Sequence, residues 1–186
     1  TLTAPILDAP VDFITPSGTN SVTRDAATAQ VGGNYYVRSQ NVTSIVQALG
    51  TGAIPISVGK IPALNGGTAA QDPAGSNSGG WTLAVAYRDV TNTEQKMNIY
   101  VGAEAVSGTT SATAAVTNFC TAPTGAQSGR LAVSALEGDA GIAGDSFRFG
   151  STNPPPAANN LNGTNSLAGN FFAAQINDDT GARDTS

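Results

Sequence analysis

The sequence predicts an all-β fold, a β-sandwich of about eight mainly antiparallel strands with one short helix. Three observations lead there. Short apolar runs are separated throughout by clusters of Gly, Pro, Asn and Ser, the punctuation of strands joined by turns. From Trp81 to Val90 the residues alternate, with Trp81, Leu83, Val85 and Tyr87 on one face and Thr82, Ala84, Ala86 and Arg88 on the other. That is the period of a pleated strand. The one good helix candidate is Val42 to Leu49, where Val42, Ile45, Val46 and Leu49 fall at i, i+3, i+4 and i+7.

Along the chain, Thr1 to Phe13 contains Pro5 and Pro10 and reads as an extended arm or edge strand, because proline cannot donate to a ladder. Residues 1–34 are therefore expected to form an N-terminal arm or edge strand, and residues 35–186 the β-sandwich, one globular domain overall. Asn34 to Arg38 is a short strand leading into the helix. Asn41 is placed to cap the first turn and Gly50 to end the last one. Ile54 to Leu64 reads as a proline-interrupted strand and Asn65 to Gly80 as a loop. Trp81 to Val90 and Lys96 to Val106 then read as a hairpin turning through Asp89 to Gln95, with Met97, Ile99 and Val101 extending its core face. Ser111 to Phe119, Arg130 to Glu137, Asp145 to Gly150 and Phe171 to Ile176 complete the set of strands. Between the last two, Ser151 to Asn170 is a long loop opening on Pro154-Pro155-Pro156, of a length that is uncommon in a compact domain.

Composition narrows the chemistry. The 186 residues carry 8 Lys+Arg against 13 Asp+Glu, a formal charge of -5, and the pI is near 4.4. Nucleic acid and anionic membrane both need a basic face, so neither is an expected partner. Histidine is absent, which removes the commonest general base and the commonest transition-metal ligand. Charged residues make up 11%, against about 25% in an average soluble domain, so Thr, Ser, Asn, Gln, Gly and Ala must form most of the surface. Cys120 is the only cysteine, so no disulfide can form within the chain, and the residue reads as a small hydrophobe. Apolar stretches such as Leu83 to Ala86 fall far short of the roughly 18 residues of a membrane span. The chain opens at Thr1 with no basic or apolar leader and stops in a polar Arg183-Asp184-Thr185-Ser186. Both ends read as cuts within a longer protein.

Catalytic constellations are weak. A serine nucleophile has no histidine to activate it, and neither Lys60 nor Lys96 stands at a Ser-x-x-Lys spacing. Glu137, Asp139 and Asp145 are the nearest approach to paired carboxylates, but glycines flank Asp139 and a solvated turn explains them without an apolar pocket. The same three residues are the candidate Ca²⁺ ligands, since calcium takes oxygens from carboxylates and carbonyls in Asp/Gly-rich turns. Asn177 to Gly181 is a second such turn, and neither matches an EF-hand loop. No other cofactor is expected. An isopeptide cross-link needs a buried lysine, for which Lys96 is better placed than Lys60. Asn41-Val42-Thr43 and Asn162-Gly163-Thr164 fit the N-glycosylation pattern, and the Gly-Gly pairs lack the features of a phosphate loop.

Two stretches carry a resemblance, Tyr36 to Val46 with its strand-to-helix pattern and Gly80-Trp81-Thr82-Leu83-Ala84-Val85-Ala86-Tyr87-Arg88-Asp89. Leu136-Glu137-Gly138-Asp139 and Asn170-Phe171-Phe172 follow in order. Together they resemble a β-rich domain of large secreted bacterial surface, adhesin-like proteins. An opening strand of that pattern has no counterpart in Thr1 to Asn34. The resemblance implies adhesion or surface architecture and carries over no catalytic residue.

The expected role is therefore non-catalytic: an extracellular structural or adhesive module at a bacterial cell surface or in a filament. It would assemble or attach through exposed sheet edges, its partners being other copies, neighbouring surface modules, or a host or matrix ligand. Ile6, Leu7, Val11 and Phe13 are the expected assembly residues, because Thr1 to Phe13 has no evident partner within the domain. A carbohydrate-binding β-sandwich and a viral fibre or capsid-type protein are the alternatives.

Overall fold

A turn of helix, α1 (Ala4–Leu7), opens the described chain where an extended arm was expected. Pro5 lies in its first turn, where a fixed φ favours the helix and a missing N–H costs nothing. The computed structural model describes residues 3–32, 35–63, 79–91, 95–104, 106, 108–120, 123–125, 129–135, 140–173, 177 and 182. By its internal contacts the chain divides into two units, Thr1–Ala112 with Val116–Thr121, and Thr113–Ala115 with Ala122–Ser186.

In the first unit, β1 (Val11–Thr15) and β2 (Gly18–Val22) form an antiparallel hairpin in which Phe13 faces Asn20 and Thr15 faces Gly18. The loop is Pro16-Ser17. Proline presets the turn, the Ser17 N–H donates to Thr15 Oγ1, and Gly18 takes a φ of 128° that a side chain would resist. On its other side β1 pairs antiparallel with β5 (Ser57–Gly59), Phe13 opposite Val58. The sheet order is thus β2-β1-β5, with β1 in the centre. Phe13 and Thr15 are buried while Ile14 between them is exposed, as the pleat requires. Leu7 and Phe13 are the buried hydrophobic residues among those described.

A second antiparallel pair joins β3 (Gln30–Val31) to β4 (Tyr36–Val37). The boundary expected after residue 34 therefore falls inside this two-stranded sheet, and residues on either side of it are bonded together. After β4 the backbone returns alongside the end of β2: the Asp25 N–H donates to the Ser39 carbonyl at 2.8 Å and Gln40 Nε2 to the Thr23 carbonyl at 2.7 Å.

That return delivers α2 (Thr43–Ala48). The Thr43 N–H donates to Asn41 Oδ1 at 3.0 Å, while the N-cap position itself is Val42, one residue later than expected. Gly50 has φ 80°, the left-handed conformation that ends a helix at lowest cost with glycine. Val42, Ile45, Val46 and Leu49 are half-buried and the helix's other residues are exposed, so the sequence stripe is the covered face.

The described residues hold five strands in two antiparallel sheets and two short helices. The expected hairpin of Trp81–Val90 with Lys96–Val106 has no strand ladder among the described residues. Its turn exists: Asp89 Oδ1 accepts from the Thr91 N–H at 2.8 Å and from Thr91 Oγ1 at 2.7 Å, an Asx turn. The second segment instead has its neighbours further along the chain. Lys96 Nζ reaches Cys120 Sγ and the Tyr100 hydroxyl donates to the Thr117 carbonyl. Both pairs are placed symmetrically about a turn at Gly108-Thr109, where Gly108 has φ 59°. Side chains of residues 96 and 100 thus contact residues 120 and 117 across that turn.

The second unit is organised around Asp145–Phe149. The Phe147 carbonyl accepts from the Leu161 N–H at 2.7 Å, Arg148 bridges Asn160, and Arg148 Nε donates to Asn160 Oδ1 at 2.7 Å. Gly144 N–H donates to the Gly169 carbonyl at 2.8 Å, and Phe171 N–H to the Asp145 carbonyl at 3.3 Å. The middle and the far end of the long 151–170 connection are thereby tied back to residues 144–148. Asn153-Pro154 is cis.

Candidate functional site

Asp8 gathers two arginines of the first unit, Arg24 and Arg38. Arg24 grips it with Nε on Oδ1 at 2.6 Å and Nη2 on Oδ2 at 2.9 Å, and Arg38 Nε adds a bond to Oδ1 at 2.9 Å. Arg38 Nη1 also donates to the Gln30 and Val37 carbonyls, and its guanidinium lies 5.9 Å from the centre of the Tyr36 ring. The Arg24 hydrogen bond holds the Asp8 carboxyl below the ordinary carboxylate range; desolvation opposes it and Arg38 reinforces it. Arg24 is raised in turn by its bond to Asp8. Burial raises Tyr36, whose hydroxyl donates to the Pro62 carbonyl, with the charge of Arg38 pulling the other way. This cluster ties the end of α1 to the segments after β2 and at β4, an arrangement that supports the fold and leaves its carboxylate fully engaged. Sequence reading missed it because Asp8, Arg24 and Arg38 are 16 and 30 residues apart and nothing in their spacing marks them as partners.

The expected assembly residues are corrected by the same geometry. Val11 and Phe13 belong to the central strand: Phe13 has a backbone partner on each side, Asn20 and Val58, and so no free edge, while Val11 is paired with Val22. Leu7 and Phe13 are 6% and 5% exposed, whereas Ile6 is 46% exposed. The segment found its partners through the Pro16-Ser17 turn and through β5.

Of the candidate calcium ligands, only Asp145 is among the described residues. Glu137 and Asp139 lie outside them. Asp145 is described, and its Oδ2 accepts from the Phe172 N–H at 3.0 Å while its carbonyl accepts from Phe171. It holds Phe171 and Phe172 against Phe147, the three rings lying 5.2 to 6.0 Å apart at tilted or edge-on angles. No set of three or more His, Cys, Asp and Glu side chains gathers as a metal would need, among the described residues. Asn177 donates to Ser166 Oγ at 2.6 Å; the rest of its Asp-rich turn lies outside the described residues.

The lysines weighed for a cross-link stand in the open. Lys60 Nζ pairs with Asp12 at 3.0 Å with 70% of its side chain exposed, and Lys96 is exposed beside Cys120. Amide formation by a lysine requires a buried side chain, and both of these are exposed. Cys120, expected to be a buried hydrophobe, is exposed.

What remains at the surface is apolar. Trp81, Val85 and Tyr87, expected in the core, are exposed, Tyr87 at 78%, with Leu83 between them half-buried. Met97, Ile99 and Val101, their expected continuation, are exposed as well, as are Val90, Tyr100 and Val106 on the opposite parity. Exposed apolar side chains are thus concentrated within 26 residues of chain. The segment carries Arg88 and Lys96 against Asp89, Glu94 and Glu104, a net charge of -1.

No family model, curated protein or solved structure matches this chain. Among the described residues no helix is long and apolar enough to cross a membrane.

Proposed function

We propose that this chain is a non-catalytic structural or adhesive module of an extracellular, bacterial-type surface assembly, acting through the apolar segments between Trp81 and Val106. The observation that carries the reading is the exposure of Trp81, Val85 and Tyr87 together with Met97, Ile99 and Val101. Alternating apolar rows suit one face of a sheet packed on a second layer. Covering them with another copy, or with a neighbouring module of the same architecture, would remove apolar surface from water at little electrostatic cost, because the segment carries few charges and a net of only -1. The full eight-stranded sandwich belongs to this proposal: the two segments acquire ladders when the layer is covered. The attachment surface is thus moved from Thr1–Phe13, whose strand is internally paired, to residues 81–106.

Sedimentation velocity over a wide concentration range tests the proposal, with far-ultraviolet circular dichroism on the same samples. Growth to larger species with a parallel gain in β signal supports it. A monomer at every concentration, with β content unchanged, overturns it.

A carbohydrate-binding module is the second reading, favoured by the exposed rings of Trp81 and Tyr87, two residues of one parity six positions apart. Retention on a glycan column by a chain that stays monomeric would select that reading over assembly.

A further inference from the structure

We draw no further inference here: the strongest candidate beyond the surface already described, the Lys96–Cys120 pair beside the Gly108-Thr109 turn with its ammonium 3.6 Å from an exposed thiol, rests on a lone cysteine with no second observation that points to a ligand or a reacting partner.

Discussion

Arg24 holds Asp8 by two parallel bonds, Nε to Oδ1 at 2.6 Å and Nη2 to Oδ2 at 2.9 Å, across 16 residues of chain. A bidentate guanidinium–carboxylate pair fixes orientation as well as distance, and Arg38 locks the same oxygen from the other sheet. In a chain with 11% charged residues, this is a concentrated use of charge, and it acts on the fold.

The pH dependence of stability follows from that pair. The Asp8 carboxyl is depressed in the folded chain, so its contribution is complete above the unfolded carboxylate value of about 3.9 and is lost as pH falls through the lower folded value. Asp8→Asn should lower the urea midpoint at neutral pH, and the gap between the two proteins should close as pH falls through the depressed folded value of Asp8. A gap of constant size across the whole range would show that Asp8 acts through packing alone.

Phe13 tests the placement of β1. It is 5% exposed at the centre of a three-stranded sheet, and replacing a buried phenylalanine by alanine costs about 3–5 kcal/mol. Phe13→Ala should therefore unfold the first unit or bring it close to unfolding, read by loss of β circular dichroism. Deleting residues 1–13 should do the same. A deleted chain that keeps its structure and loses only association would restore the segment as an assembly arm.

At Gly50 the φ of 80° places any other residue in the left-handed region, at a cost of about 1–2 kcal/mol. Gly50→Ala should lower stability by about 1 kcal/mol in chemical denaturation, although alanine is the better helix former. A neutral or stabilising result would contradict the observed helix end.

In the second unit Asp145 is predicted to serve the backbone. Removing the acceptor of the Phe172 N–H by Asp145→Ala should cost about 1–2 kcal/mol, and Phe171→Ala about 2 kcal/mol, since the ring is half-buried. Calcium should leave the denaturation midpoint of the native chain unchanged. A rise with calcium that Asp145→Ala abolishes would reinstate this residue as a ligand.

What the sequence made legible is what local chemistry decides. The stripe Val42, Ile45, Val46 and Leu49, with Asn41 before it and Gly50 after it, marks α2 and its covered face, because helix contacts close within four residues. The short strand at Tyr36-Val37 and the Asx turn at Asp89 rest on equally local signals. Pro5 was misread, since proline forbids a central strand and welcomes the first turn of a helix, and only the surroundings choose. The hairpin turn at Pro16-Ser17 carried its signal, a proline followed by a glycine at the strand start, yet the prolines before it obscured the strand. Alternation from Trp81 to Tyr87 indicates a preference for extended chain, but partner and register depend on residues far away, which local pattern does not encode. The Asp8 cluster was illegible for the same reason.

Trp81 is the only tryptophan and sits half-exposed, at 46%, within the proposed attachment surface, so its fluorescence reports on the central claim without a label. As concentration rises, its emission should move to shorter wavelength in step with the growth of sedimenting species. Ile99→Glu should suppress both, by placing a charge where apolar cover is needed. Emission that stays at its long-wavelength position while large species form would show that assembly uses another surface, and the account given for residues 81–106 would be wrong.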